Sequence, residues 1–451
     1  MFPKTDIKQR QLGLPMRIGI VGAGHVGLPT AGALCELGHE VRVTDIDHEK
    51  LADLSRGVVP FVEPGLEKLI RRGLQSSRLT FTSDPEDFSD GLSAAFICVG
   101  TPPKVTGEAN LAAVERSAVM VARHARGRLV VIEKSTVPTG TAGRLAHVLN
   151  RHNPEVTFLI VSNPEFLREG QAVHDSMHPS RIVVGTDSPE AFAFMRRLYQ
   201  PYLNSGARLF ETDLQTAELA KHACNAYLAL KVSFANAMAQ VCERTHADVT
   251  TIRSIMESDP RIGVGHLNAG LGYGGSCFPK DLAAFQRLVH RIGYRFPLLD
   301  EIQRLNDEAL GSVFSKIEDV LWNLEGKKVA LLGLAFKAGT DDVRYSPALN
   351  LAERLLAEGV EVAGYDPAAG DAAREALPAL QVSDDAYSAL MGANCAVLCT
   401  EWDAFRHIDT SKIKEVMAWP ILIDGRNLFD PNVMRDEGFV YLPTGRPAVG
   451  W

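Results

Sequence analysis

The sequence contains no uninterrupted apolar run of the roughly 18 residues that a membrane span needs, so none of its 451 residues is expected to cross a bilayer as a helix. It has no CxxC pair. Its seven cysteines stand apart at positions 35, 98, 224, 242, 277, 395 and 399. An odd, scattered set argues against a disulfide framework or a zinc site, so no metal is expected. Most of these cysteines should be small buried hydrophobes. There is also no basic stripe, and the formal net charge is -8. Nucleic acid is therefore not the expected partner, and an anionic ligand would have to be captured by local groups. The first fifteen residues lack the apolar core of an export signal. They are expected to form a flexible leader on a cytoplasmic protein.

What is present is an α/β pattern. The chain is too long for one ordinary core, so two or three domains are expected. Between 16 and 205, short β-rich runs (RIGIVG, EVRVTD, AAFICVG, LVVIEKS, TFLIVSN and RIVVG) alternate with helical stretches, which predicts a parallel sheet covered on both faces. Residues 213–245 then read as one long helix without Gly or Pro. A helix so rich in Ala and Leu needs cover on several sides, and it is expected both to join domains and to form a subunit interface. A glycine-rich stretch follows at 261–281, and from Lys327 the alternation resumes with KKVALLGLAF, VEVAGYD, CAVLCTEW and PILIDGR. The expected architecture is two doubly wound Rossmann-like domains joined by a helical central domain. Its expected segments are a leader 1–15, a dinucleotide-binding domain 16–205, a helical domain 206–320 and a second nucleotide domain 321–451.

The first strand runs into Gly22-Ala23-Gly24-His25-Val26-Gly27, which is G-x-G-x-x-G between a strand and a helix. Gly22 permits the tight turn, Gly24 lets the backbone approach a pyrophosphate and Gly27 lets helix and strand pack closely. The diphosphate would rest on the helix N-terminus. The next strand ends at Asp45, where an acid accepts from the ribose hydroxyls and repels a 2′-phosphate. That favours NAD over NADP. Asp47 competes for this role, with a plain turn as its alternative.

Cys277 stands in Gly274-Gly275-Ser276-Cys277-Phe278-Pro279-Lys280-Asp281. Pro279 suits the first turn of a helix. A thiol at a helix N-terminus with Lys280 nearby should have a lowered pKa, and Asp281 lies one turn on. Lys221 and Asn225 form an i, i+4 pair on the long helix. The ordinary reading of Lys221 is a surface ion pair with Glu218. The loops 133–138 and 162–170 each follow a strand and so lie at the carboxyl edge of the sheet, where open α/β folds bind ligands.

The runs GAGHVGLP, ICVGTPP, EKSTVP, SNPEFLREG, KHACNAY, GYGGSCFPKD, GLAFKAGTDDVR, TEWDAF and DGRNLFD occur in this order. With them the chain resembles the UDP-glucose/GDP-mannose dehydrogenase family from Arg17 to about Asp430, and SNPEFLREG, GYGGSCFPKD and TEWDAF resemble its UDP-glucose branch. The resemblance implies oxidation of a nucleotide sugar's C6 alcohol to the carboxylate, using two NAD and one water, with Cys277 as covalent nucleophile. It implies that Lys221 and Asn225 stabilise oxygen charge, that Asp281 and Thr136 hold a water, and that Glu165 is the base for thioester hydrolysis. For the cofactor it implies contacts from Val26, Lys50, Thr101, Thr136, Glu169, Lys280 and Arg344. For the substrate it implies Glu165, Phe166, Leu167, Arg168, Tyr273, Gly274, Phe278, Lys337 and Arg426, and an Arg261 that reaches a neighbouring subunit's substrate. A homodimer or higher homo-oligomer is implied as well. Two positions depart from the family's habit: Val62 precedes Glu63, and Tyr345 follows Arg344. The second α/β half lacks G-x-G-x-x-G, and its Gly333-Leu334-Ala335-Phe336 turn suits a nucleotide diphosphate better than a dinucleotide.

Three other readings compete. The same reaction could act on a UDP-N-acetylhexosamine or GDP-mannose. A two-electron β-hydroxyacid-type dehydrogenase would share the first domain but has no use for Cys277. A non-catalytic nucleotide-sugar sensor would keep the glycine loops and could lose the thiol and Lys221.

Overall fold

The structure, a computed structural model, describes residues 15–451. Positions 1–14 of the expected leader lie outside the described residues. The chain divides into two compact units, one ending at Ala223 and one beginning at Cys224.

In the first unit the strands are β1 (Arg17–Val21), β2 (Glu40–Thr44), β3 (Leu79–Phe81), β4 (Ala94–Ile97), β5 (Arg128–Glu133), β6 (Thr157–Ser162), β7 (Arg181–Gly185) and β8 (Arg208–Thr212). They form one sheet in the order β3-β2-β1-β4-β5-β6-β7-β8. The central strands are apolar on both faces, as a doubly covered parallel sheet requires. Their side chains alternate between two cores. Ala94 and Phe96 join Ile18, Ile20, Val130 and Ile132 on one face. Ala95 and Ile97 join Leu129 and Val131 on the other.

The sheet departs from the all-parallel expectation at one place. β6 and β7 pair antiparallel through Ser162 and Gly185, and β7 and β8 run parallel to each other. A parallel crossover needs a covering helix of several turns. The β6–β7 connection contains only the short helix Ala172–Met177, and the remainder of it is the SNPEFLREG loop, so the chain turns back.

The second unit opens with the remainder of the helix Leu214–Thr245 and continues through the helices Val249–Glu257, Phe278–Arg291 and Pro297–Leu321. Ala226, Ala229, Tyr273, Leu282, Leu299 and Ile302 form a core among these helices. The strands that follow are β9 (Lys328–Leu332), β10 (Glu361–Tyr365), β11 (Gln381–Val382), β12 (Cys395–Leu398), β13 (Ile421–Asp424) and β14 (Val440–Pro443). Their order is β11-β10-β9-β12-β13-β14, and every pairing is parallel. Val313, Phe314, Ile317 and Leu321 of the last long helix pack on one face of this sheet. The fold is α/β, with Rossmann-like N- and C-terminal sheets and a helical segment between them in sequence.

The turn after β9 depends on Gly333. Its φ is +97°, and a Cβ there would lie 1.9 Å from Thr400 Oγ1 and 2.7 Å from Thr400 Cβ. Gly333→Ala combines left-handed strain with overpacking, so it should destabilise the second unit by about 2 kcal/mol or more. A shift of the urea midpoint to lower concentration would show this, whereas an unchanged midpoint would mean that the turn relaxes freely.

Candidate active site

The glycine loop after β1 is built as its sequence demands. Gly22 has φ +105°, and a Cβ there would lie 2.7 Å from the Cys98 carbonyl oxygen. A Cβ on Gly27 would lie 1.9 Å from the Gly22 carbonyl oxygen. Gly24 differs, because a Cβ there would meet nothing within 4 Å. Neither packing nor backbone strain explains that glycine, whereas close approach of a ligand to the backbone does. The helix Gly27–Glu36 begins at this point, and its N-cap, Val26, supplies no side-chain cap. Its first amides suit an anion.

Asp45 follows β2. Its Oδ2 accepts from Ala23 N at 2.7 Å and pairs with Lys50 Nζ at 2.9 Å, and its Oδ1 accepts from Asp47 N at 3.1 Å. Burial alone would raise its pKa, but the bonds from Ala23, Lys50 and Asp47 outweigh that and hold the carboxyl below its usual range. Asp47 takes the other role, capping the helix His48–Ser55 by accepting from Lys50 N. An ionised acid beside an open glycine fits a dinucleotide without a 2′-phosphate. Thr101 Oγ1 donates to the Thr136 carbonyl at 2.9 Å, which ties the loops after β4 and β5 together.

At the same sheet edge Glu165 meets Lys221. The Nζ–Oε1 distance is 3.0 Å, and both residues are buried. Lys221 is therefore not the surface partner of Glu218. Glu218 instead accepts from Gly140 N at 2.6 Å and Ala142 N at 2.7 Å, at the start of the helix Thr141–His152. Glu165 Oε2 also accepts from Leu167 N at 2.5 Å. Phe166 has Arg181 over its ring at 4.0 Å and Lys221 at 5.3 Å. Arg168 forms a two-point pair with Asp175, with Nε–Oδ2 2.8 Å and Nη2–Oδ1 2.6 Å. Glu169 is half-buried on the same loop. Glu63 fastens the far end of this loop, accepting from Gly170 N at 2.7 Å and Ala172 N at 2.8 Å.

In the second unit Cys277 is the N-cap of the helix Phe278–Arg291, with Pro279 in its first turn. The thiol is half-buried, with Ser276 Oγ at 3.6 Å. One turn on, the buried Asp281 accepts from Asn225 Nδ2 at 2.6 Å and pairs with Lys280 Nζ at 2.5 Å. The structure thus brings Asn225, Lys280 and Asp281 together. The cysteine loop is pressed against the C-terminal segment. A Cβ on Gly274 would lie 2.1 Å from the Tyr345 carbonyl oxygen, and one on Gly275 would lie 2.7 Å from the Phe336 ring. Gly275 N donates to the Arg344 carbonyl at 3.0 Å, and Lys337 Nζ lies 5.3 Å from the Phe336 centroid. The Arg344 guanidinium pairs with Asp342. Tyr273 and Phe278 meet edge to face at 5.8 Å. Arg426 Nε donates to the Cys399 carbonyl at 2.7 Å and lies 3.4 Å from Glu401. Arg261 is apart from this group, with an 88% exposed side chain paired to Asp259.

Comparison with known proteins agrees with this geometry. Residues 16–203 match the NAD binding domain of the UDP-glucose/GDP-mannose dehydrogenase family, 215–308 its central domain and 330–431 its UDP binding domain. The chain belongs to the UDP-glucose/GDP-mannose dehydrogenase family. It is 41% identical to a UDP-glucose 6-dehydrogenase of Pseudomonas aeruginosa, covering 96% of this chain and 98% of that one. It is 38% identical to one of Bacillus subtilis, covering 96% and 94%. A UDP-glucose dehydrogenase structure from the archaeon Pyrobaculum islandicum superposes with a TM-score of 0.91 at 34% identity, covering 98% and 100%. NAD is the cofactor of this family's first domain, and the residues around Gly24 and Asp45 fit it. No helix among the described residues is long and apolar enough to cross a membrane.

Sequence reasoning missed a buried polar layer beneath Glu165. Lys134 Nζ donates to Asn163 Oδ1 at 3.2 Å, Tyr199 OH donates to the same oxygen at 2.6 Å, and Asn163 Nδ2 donates to the Val183 carbonyl at 2.7 Å. The available signal was the charged pair Glu133-Lys134 closing an apolar strand. Glu133 Oε1 accepts from Ser135 N at 2.8 Å, while its Oε2 is buried with no partner among the described residues. Burial, aided by Glu218, pushes Glu133 up to about 8 against the bonds from Ser135. Between the ordinary glutamate range and pH 8 the unfolded chain gives up this proton and the folded chain keeps it, so stability falls as pH rises across that window. Glu133→Gln removes the penalty. Its Tm relative to the parent should increase from pH 5 to pH 8; a pH-independent difference would mean that Glu133 ionises normally.

Proposed function

We propose that the protein oxidises UDP-glucose at C6 to UDP-glucuronate, consuming two NAD and one water. NAD, when bound, accepts the hydride in each of the two oxidations. The observation that carries the reading is the thiol of Cys277 at the head of a helix whose first turn presents Asp281, itself fixed by Asn225 and Lys280.

The first oxidation yields an aldehyde, which has no second hydride to release until a nucleophile adds to its carbon. Cys277 Sγ forms that bond, and the carbonyl oxygen takes up the proton as the thiohemiacetal forms. Lys221 and Asn225 stabilise charge on this oxygen. The second oxidation leaves a thioester on Cys277. Glu165 then takes a proton from water, the water oxygen bonds to the acyl carbon, and the carbon–sulfur bond breaks to return the thiol. Thr136 and Asp281 hold the water involved in proton transfer.

Val26, Lys50, Thr101, Thr136, Glu169, Lys280 and Arg344 assist the glycine loop and Asp45 with the cofactor. Phe166, Leu167 and Arg168, with Tyr273, Gly274 and Phe278, line the sugar, and Lys337 and Arg426 meet the diphosphate. The reading keeps 16–205, 206–320 and 321–451 as cofactor, helical and nucleotide-sugar segments. It places the enzyme in the cytoplasm. A homodimer is part of the reading as well. Tyr227, Phe234 and Val241 recur at seven-residue spacing on the long helix with 59%, 44% and 49% of their surface exposed, an apolar stripe suited to a second copy. The exposed Arg261 would then reach the partner's substrate.

Incubation with UDP-glucose should yield two NADH per sugar, and a ratio of one would favour a two-electron dehydrogenase. Cys277→Ala should lower acid formation by more than about a thousandfold while nucleotide-sugar binding persists, and normal acid output would refute covalent catalysis. Asp45→Ala should raise KM for NAD about tenfold or more; an unchanged KM would remove Asp45 from the ribose. Parallel assays with UDP-N-acetylmannosamine, UDP-N-acetylglucosamine and GDP-mannose test the sugar assignment.

A further inference from the structure

Catalysis as proposed makes a demand on Lys221 that the pair with Glu165 does not meet by itself. When Lys221 turns its charge toward a substrate oxygen, Glu165 is left as a buried carboxylate with a weakened partner. A carboxylate in that position takes up a proton, and a protonated Glu165 is no base.

The structure buries a second lysine against the same loop, Lys134, bonded to Asn163. We propose that Lys134 is a positioning residue that keeps Glu165 ionised while Lys221 serves the substrate. This rests on the roles proposed above for Glu165 and Lys221. Lys134 is buried, and its hydrogen bond goes to a neutral amide oxygen, Asn163 Oδ1, and not to a carboxylate. Its charge is therefore not consumed by a pair of its own. Asn163 is two residues before Glu165 on the same loop, and Tyr199 and the Val183 carbonyl lock it from the other sides. Lys134 is thus held at a fixed place relative to the base.

The electrostatic surroundings support the assignment. Burial pushes Lys134 down, Cys98 and Glu165 pull it back up, and Lys221 opposes them. Other titratable groups pack around this layer. Burial pushes the Cys98 thiol up to about 12 and drives the Tyr199 phenol further above its ordinary range. Glu133 is pushed up to about 8, and Glu218 is also raised by burial while it accepts backbone amides. Glu133 titrates on the alkaline side, so it does not set an acid limb. A lone buried ammonium is costly, and Cys98 and Glu165 together offset part of that cost for Lys134.

Lys134→Gln tests the proposal, because it keeps an N–H donor for Asn163 and removes the charge. The acid limb of the kcat–pH profile should move up by about one unit, so that kcat at a pH below the limb falls about tenfold, with KM for UDP-glucose within about twofold of the parent. Tyr199→Phe removes a hydrogen bond from the same Asn163 oxygen without changing charge, and Lys134→Arg keeps the cation. Both should leave the acid limb in place. An unmoved limb in Lys134→Gln, or an equal shift in Tyr199→Phe, would overturn the proposal in favour of a purely structural network. If Lys134→Gln does not fold, a shifted limb in Lys134→Arg overturns it and an unshifted limb with near-parent kcat supports it. Glu165→Gln separates the two readings. If that variant keeps the parent kcat and limb, the assignment of Glu165 as base fails and takes this proposal with it. If it loses both, an unmoved limb in Lys134→Gln counts against Lys134 alone.

Discussion

The first unit is organised around a carboxylate and an ammonium that have almost no access to water, Glu165 and Lys221 at 3.0 Å. Such a pair contributes little net stability, since desolvation offsets most of the attraction. Removing one member leaves the other uncompensated at a cost of about 3–5 kcal/mol. The loop and the helix that supply the two groups therefore have to be fixed independently. On the helix side, Glu218 binds two amides at the start of the helix Thr141–His152, and His222 Nε2 donates to the Val137 carbonyl at 3.0 Å. These residues flank Lys221 and pin its turn of helix to the loop after β5. On the loop side, Asn163 and Glu63 hold the two ends of SNPEFLREG. The antiparallel turn of β7 follows from this arrangement, because a chain that spends its β6–β7 connection on an anchored loop has no helix left for a crossover.

Asp281 plays the corresponding part in the second unit. It is buried, and it satisfies its charge with Lys280 and an amide, Asn225, so its carboxylate stays near the helix head where Cys277 sits. Gly274 and Gly275 let the Tyr345 backbone and the Phe336 ring come within contact of the cysteine loop, and any larger residue would push that segment away. The placement of Cys277 and the placement of the GLAFKAGTDDVR segment are therefore one packing problem, which is a physical reason for both runs to occur in one chain.

The sequence was legible where a local pattern or a short motif carried the signal, and obscure where only the fold brings residues together. The ten strands expected from apolar runs are all present. The four that were not expected, β3, β8, β11 and β14, are the outermost strands of the two sheets. An edge strand packs against one neighbour only, and three of these four are short or exposed; β14, though buried, is four residues long. β8 is exposed or half-exposed throughout, and β11 is two residues long. The glycine loop, Asp45 and the Cys277 loop could be read because each depends on residue types that a short motif displays. The partner of Lys221 could not, because Glu165 is 56 residues away in sequence and only the fold brings it closer than Glu218. The Lys134–Asn163–Tyr199 layer was hidden for the same reason.

The two sheets also show why one turn suits a dinucleotide and the other does not. Gly22 and Gly333 each follow the first strand of their sheet with positive φ, and each donates its N–H to the end of the second strand, at Thr44 and Tyr365 respectively. Asp45 and Asp366 each follow that second strand. The skeletons agree to this point and then diverge. Asp366 accepts from the amides of Leu334, Ala335, Ala368 and Ala369 and from the Trp402 indole, so both its oxygens are committed within the protein. Where the first loop leaves Gly24 open, the second places Ala335, 1% exposed. An acid saturated by backbone donors has no capacity left for ribose hydroxyls, and a buried methyl blocks the backbone approach that a pyrophosphate requires. The same strand–turn–strand unit is thus open at Gly24 and closed at Ala335, in keeping with a family whose first domain binds NAD and whose last domain binds UDP.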